Sequence, residues 1–142
     1  MSDNFLLNER SATDLVVGIQ TGEITSVELV QACLDRIDAS EPVVKAWVYI
    51  DAELVLAQAR TADEKVKSGA ELGPLHGIPV GLKDIIDTAD MPTCSGSEHF
   101  SDRRPANDAT VVSLLRKSGA IIMGKTVTTE FALTGQRGTT NP

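Results

Sequence analysis

The chain has 142 residues with only two cysteines, no apolar run long enough to cross a bilayer, and few basic side chains. Each scarcity excludes something. Cys33 sits in a helical pattern and Cys94 in a Ser/Gly-rich turn, and two isolated cysteines make neither a disulfide framework nor a metal site. Cys33 reads as a small core residue, and Cys94 as a loop cysteine rather than a reactive thiol. No basic segment leads into an apolar one, so neither a leader nor membrane attachment is expected and a soluble cytoplasmic protein is the default. Thirteen Lys and Arg stand against twenty Asp and Glu, a net charge of -7. The only dense basic pair is Arg103-Arg104, which reads as a solvated loop, so direct nucleic-acid binding is not expected. Gly77 and Gly81 invite a phosphate-loop reading, but no helix opens behind them, and that context is the test of such a loop. Repeats and low-complexity tracts are absent as well.

What is present alternates. Ser11 to Asp14 has the form of a helix start, with Leu15, Val16 and Ile19 behind it and Gly22 to end it. Thr25-Ser26-Val27-Glu28 is a second capping box, and Val27, Val30, Cys33, Leu34 and Ile37 follow at helical spacing to about Ala39, before Pro42. Val43 to Ile50 changes to a period of two, a strand. Asp51 caps an alanine-rich helix through Lys67, closed by Gly69. Ile78 to Lys83 is a short apolar strand of the kind buried on both faces. A bend follows at Ile85 and Ile86, then an irregular stretch from Pro92 to Pro105. Asp108 caps a helix that ends at Gly119, and Ala120 to Met123 is another strand. Lys125 to Leu133 holds at most one helical turn, and Thr134 to Pro142 reads as loop. This order predicts an α/β fold, a mixed sheet covered by helices on both faces, with Met1 to about Arg10 as a loose N-terminal arm and residues 11–142 as one body.

One segment carries chemistry: Gly73-Pro74-Leu75-His76-Gly77-Ile78-Pro79-Val80-Gly81-Leu82-Lys83-Asp84. Glycines and prolines punctuate an apolar strand, and an amine arrives at its end. Burial disfavours a charged amine, which is how a lysine becomes a base. A strand end among apolar residues offers a fixed, partly dry location, although Asp84 would oppose the effect if it touched the amine. On spacing alone, an ordinary strand-end lysine paired with a carboxylate is the favoured reading. His76 reads as a loop histidine rather than a base.

The Gly73–Asp84 segment resembles the lysine motif of the amidase signature family. The likeness continues through Asp108-Ala109-Thr110-Val111-Val112, Leu115-Arg116-Lys117-Ser118-Gly119-Ala120-Ile121, Gly124-Lys125-Thr126 and Glu130-Phe131-Ala132 to Asn141-Pro142. The helices after Thr25 and Asp51 are also placed as in that family. Residues 11–142 take part, and several motifs in the right order are far more specific than any one.

The resemblance implies a hydrolase of carboxamides, acting without cofactor or metal through a Ser, cis-Ser, Lys triad in which Lys83 is the base. It implies that Leu133 and Thr134 fall where relatives build part of the acyl pocket, and that Glu130 is a structural hydrogen-bonding residue. In the family both serines and the oxyanion loop follow the Asn-Pro pair, here Asn141-Pro142. Residues 11–142 are therefore expected to be the N-terminal portion of one amidase domain, incomplete at its C-terminal end and inactive alone. Ser95 or Ser97 could in principle form a dyad with Lys83, but relatives have a structural Gly-Ser turn there. Two alternatives stay open: the A subunit of a tRNA-dependent amidotransferase, with its own partner protein, and a non-catalytic fragment or interaction module. An uncovered sheet edge would favour self-association of such a fragment.

Overall fold

The computed structural model describes residues 4–133 together with Gly135 and Gly138. Caps set the first helices. Ser11 Oγ accepts the Asp14 N–H (3.2 Å) and starts α1 (Ala12–Thr21), which Gly22 ends at φ 76°. Thr25 and Glu28 complete a reciprocal capping box at the start of α2 (Ser26–Val44). A second device there was not read from sequence. Asp63, in the middle of α3 (Ala52–Lys67), accepts the N–H groups of Ser26 (2.6 Å) and Val27 (3.2 Å). A buried carboxylate thus caps the neighbouring helix at the end where the aligned peptide dipoles favour negative charge.

Two boundaries depart from expectation. Pro42 lies inside α2 rather than after it. Its missing N–H falls in the final turn, so only one bond of the ladder is lost, and Lys45 closes the helix by donating to Glu41 O (3.0 Å). The next strand, β1 (Trp47–Ile50), accordingly begins later than Val43, tied to the helix end by Trp47 N–H donating to Glu41 Oε1 (2.8 Å). At the N-terminus, Asn4–Glu9 winds into 3-10 turns and Leu7 is buried beside Leu15, Ile19 and Leu29, where a loose arm is expected.

The sheet has the order β1-β3-β2, with β2 (Pro79–Lys83) parallel and β1 antiparallel to the central β3 (Ile121–Thr126). Ile121 and Met123 pack on Val30, Leu34, Val55 and Ala59 of α2 and α3, while Ile122 packs with Leu82, Met91 and Val112 of α4 (Thr110–Lys117). Helices therefore cover both faces, as expected. The strand β2 is not buried on both faces, however. Leu82 is buried, but Gly81 and Lys83, two residues apart on the other side of the strand, are exposed. It lies at the edge of the three strands, with helix cover on the α4 side and only the Trp47 ring against Gly81 on the other.

An irregularity in β3 sets the geometry of the strand ends. Val80 pairs with Ile122 but Gly81 pairs with Gly124, so Met123 is an extra residue opposite β2. The shift puts Lys125 on the same face as Ile122, three residues away, instead of on the opposite one. Gly124 permits it, because a Cβ there would run into the carbonyl of Tyr49 on β1.

The start of α4 also differs from expectation. Ala109 occupies the N-cap without a side-chain bond, and Asp108 is engaged elsewhere, accepting from Ala89 N–H (2.8 Å) and Arg116 Nε (3.0 Å). The carboxylate joins the last turn of the helix to the preceding loop instead of capping the first.

Replacing the Asp63 carboxylate should leave two N–H groups at the start of α2 without acceptors. Asp63→Ala is expected to cost about 2 kcal/mol by chemical denaturation, with Asp63→Asn losing less.

Candidate active site

Lys83 ends β2 at the C-terminal end of the parallel pair. Its carbonyl accepts the N–H groups of Ile85 (2.8 Å) and Ile86 (2.9 Å), which turns the chain sharply after it, the bend expected there. Its side chain is exposed, and among the described residues its amine has no hydrogen-bond or ion-pair partner. The backbone is fixed as expected, but the partly dry surroundings are not present, because the Trp47 ring covers that side of β2 only at Gly81 and leaves Lys83 exposed.

Asp84 does not touch Lys83. Strand alternation turns it to the opposite face, where its carboxylate lies 3.4 Å from Lys125 Nζ. Both residues are almost wholly buried. Lys125 also donates to Thr93 Oγ1 (2.6 Å) and Pro92 O (3.4 Å), and Cys94 N–H donates to both oxygens of Asp84 (3.2 Å each). Burial pushes the Lys125 ammonium below its ordinary value, and the Asp84 carboxylate pulls it back. Sequence reading had no way to find this pair, since it depends on the extra residue in β3.

The 93–97 turn is held from several sides. Ser95 adopts φ 53°, donates its N–H to Asp84 O (2.9 Å) and accepts from Phe131 N–H (2.8 Å). A Cβ on Gly96 would meet the carbonyls of Thr128 and Thr129 at 2.7 Å. Ser97, buried, donates its hydroxyl to Glu130 Oε1 (2.7 Å). Glu130 thus has the structural role expected of it, and the Ser97 hydroxyl is engaged with a carboxylate rather than with Lys83. Burial, then the nearby Asp84 carboxylate, pushes the Cys94 thiol up, which suits a structural thiol; burial alone does the same for Cys33, packed between helices.

Beyond the end of β2 lies an open concavity of about 730 Å³, walled by Ile85, Ile86, Ser95, Phe100, Val111 and Phe131 among others. Phe100 and Phe131 meet edge to face at 5.9 Å. Leu133 is 73% exposed near this region of chain, and Thr134 lies outside the described residues. The loop behind the concavity is clipped by ions. Arg103 forks onto Asp87 (2.7 Å twice), so the arginine pair is not a free basic stripe, and Arg116 donates through Nη2 to both oxygens of Asp90 (2.8 and 2.7 Å).

His76 lies in a turn, as the loop reading expects, and is buried there, with Nε2 2.9 Å from Ala62 O and its ring tucked against Gly119. Among the described residues no group of three or more His, Cys, Asp or Glu side chains is arranged to hold a metal, and no helix is long and apolar enough to cross a membrane.

Fold and site together define an α/β protein whose mixed sheet presents a lysine at a strand end, opposite a buried ion pair, with an open concavity of mixed apolar and charged lining past that end. A family model described as Amidase matches residues 28–141, and the chain belongs to that family, the amidase-signature proteins. The A subunit of the glutamyl-tRNA(Gln) amidotransferase of Chloroflexus aurantiacus is 42% identical over 127 residues, 89% of this chain but 26% of that protein. Among solved structures, the native peptide amidase of Stenotrophomonas maltophilia superposes with a TM-score of 0.83 at 38% identity, covering 89% of this chain and 26% of its own. A fatty acid amide hydrolase gives 0.84 at 29%, covering 90% and 23%. The chain thus spans about a quarter of the length of the relatives it matches.

The Arg103 guanidinium, by hydrogen bond and charge, holds the Asp87 carboxyl below the usual carboxylate range. A depressed carboxyl contributes stability above its unfolded value, and that stability is lost as pH falls through the folded one. The difference in melting temperature between wild type and Asp87→Asn should therefore be present at neutral pH and shrink on acidification below about pH 4.

Proposed function

We propose that these residues are the N-terminal part of a cytoplasmic carboxamide hydrolase, with Lys83 as the base of a Ser/cis-Ser/Lys triad. The observation that carries the reading is Lys83 at the C-terminal end of β2, within the Gly73–Asp84 motif of a family match that spans residues 28–141. Strand ends of this kind are where α/β proteins place ligands.

In this reading the neutral Lys83 amine takes a proton from the relay serine, which takes one from the nucleophilic serine as that oxygen attacks the amide carbon. Backbone N–H groups hold the tetrahedral oxyanion, the proton returns to the leaving nitrogen, and ammonia departs. Water attacks the acyl ester, giving the acid and regenerating the serine. Leu133 and Thr134 contribute to the acyl pocket, and no cofactor takes part. Both serines lie outside residues 1–142.

A lysine acts as a base only where burial disfavours its charged form, and Lys83 is exposed here. The 142 residues alone are therefore inactive and, with β2 open along one edge, prone to self-association. The likeness to an amidotransferase component supports a second reading, in which ammonia from glutamine passes to the substrate of a partner subunit, without direct nucleic-acid contact by this chain. Ammonia release from glutamine only in the presence of a partner and charged tRNA would select it.

In the complete enzyme, Lys83→Ala should lower amide hydrolysis by about 10²–10⁴-fold, measured as ammonia release, with folding unchanged. Wild-type turnover by Lys83→Ala, or amide turnover and a monomeric, cooperatively melting profile for the 142 residues alone, would contradict the proposal.

A further inference from the structure

We infer that the buried Asp84–Lys125 pair is a positioning device for Lys83, fixing the backbone that carries that lysine to the 92–95 turn; the inference rests on the proposed role of Lys83. Every polar group of Asp84 is engaged. Its N–H donates to Thr126 O (3.0 Å), its carbonyl accepts Ser95 N–H (2.9 Å), and its carboxylate takes Cys94 N–H and faces Lys125 Nζ. Residue 84 is thereby pinned to β3 on one side and to the turn on the other. Lys83, one peptide earlier, is pinned by its own carbonyl to Ile85 and Ile86.

Lys125 supplies the cross-tie. Its ammonium reaches Asp84, Thr93 Oγ1 and Pro92 O, so one side chain from the central strand holds both the residue after Lys83 and the start of the turn. A buried ion pair is a poor source of stability, because desolvating two charges offsets their attraction and apolar residues of similar volume often serve as well. What the pair provides is geometry. It has directional bonds to three segments, with no freedom to slide as packed methyl groups would. Ser95, tied to Asp84, also lines the concavity, so the same bonds couple the backbone that carries Lys83 to one of its lining residues. Asp84 and Lys125 are positioning residues, since neither faces the open side where Lys83 emerges.

The test uses the complete enzyme and two variants. Asp84→Asn removes the charge partner and is expected to lose stability, because Lys125 is then buried unpaired. Asp84→Asn/Lys125→Met removes both charges, keeps an acceptor for Cys94 N–H, and should melt close to wild type. Both variants are expected to lower kcat by about 10²-fold with KM little changed, the effect of a small displacement of a reacting group. Hydrogen exchange at the amides of Asp84, Cys94 and Ser95 should quicken in both, with α2 and α3 unaffected. A double variant that regains wild-type kcat along with wild-type melting would overturn the inference by reducing the pair to a structural element. Unchanged exchange at those three amides would overturn it too, whatever the activity. A wild-type enzyme that turns over no amide would sink the amidase reading instead, and the exchange result then decides alone whether the pair holds the segment.

Discussion

A lysine ammonium with no access to water must find its partners inside the protein, and Lys125 meets that demand in a way that organises the sheet's active end. For its amine to reach Asp84 and Thr93, β3 must change phase after Ile122, which needs the extra residue Met123. The phase change presses β3 against β1 at Gly124, where no side chain fits. The partners then dictate the rest. Asp84 must point away from Lys83, and the 92–94 segment must lie across the strand ends. Lys83 therefore emerges alone on the opposite face, free of the carboxylate next to it in sequence.

Around that centre the structure changes its means of cohesion. The body built from α1, α2 and α3 is held by apolar clusters and helix caps. The segment from Asp87 to Ala109 has little regular structure and is clipped by ion pairs, Arg103 to Asp87 and Arg116 of α4 to Asp90 and Asp108. Exposed pairs of this kind contribute little each, so the loop depends on their number and on its anchor at Thr93. The concavity beside this loop has apolar and charged walls, and Lys83 is exposed at the edge strand.

Local rules carried the reading of this chain a long way. Ser11, Thr25 and Asp51 cap helices as their spacing indicates, and Gly22, Gly69 and Gly119 end or follow them in the left-handed region. The errors have a common cause, that a residue's neighbours in space overrode its neighbours in sequence. Pro42 fits in the last turn of α2 because that turn is anchored through Glu41 to Trp47, and Asp108 leaves its cap because Arg116 and Ala89 compete for it. The apolar run of β2 suggests burial on both faces, but one face meets only the Trp47 ring and stays partly open. The Gly73–Asp84 motif is legible because it is a linear signal. The Asp84–Lys125 contact joins residues far apart in sequence and hinges on one inserted residue, so no spacing could reveal it, and neither could spacing reveal the Asp63 cap of α2.

The claim that Lys83 serves a serine outside these residues is open to a direct measurement: mapping of the site acylated by a fluorophosphonate probe in the complete enzyme and in its Lys83→Ala variant. The account predicts a single adduct on a serine beyond residues 1–142, formed in wild type and largely lost in the variant, with none on Ser95 or Ser97. An adduct on Ser97, or labelling that persists undiminished in Lys83→Ala, would contradict it.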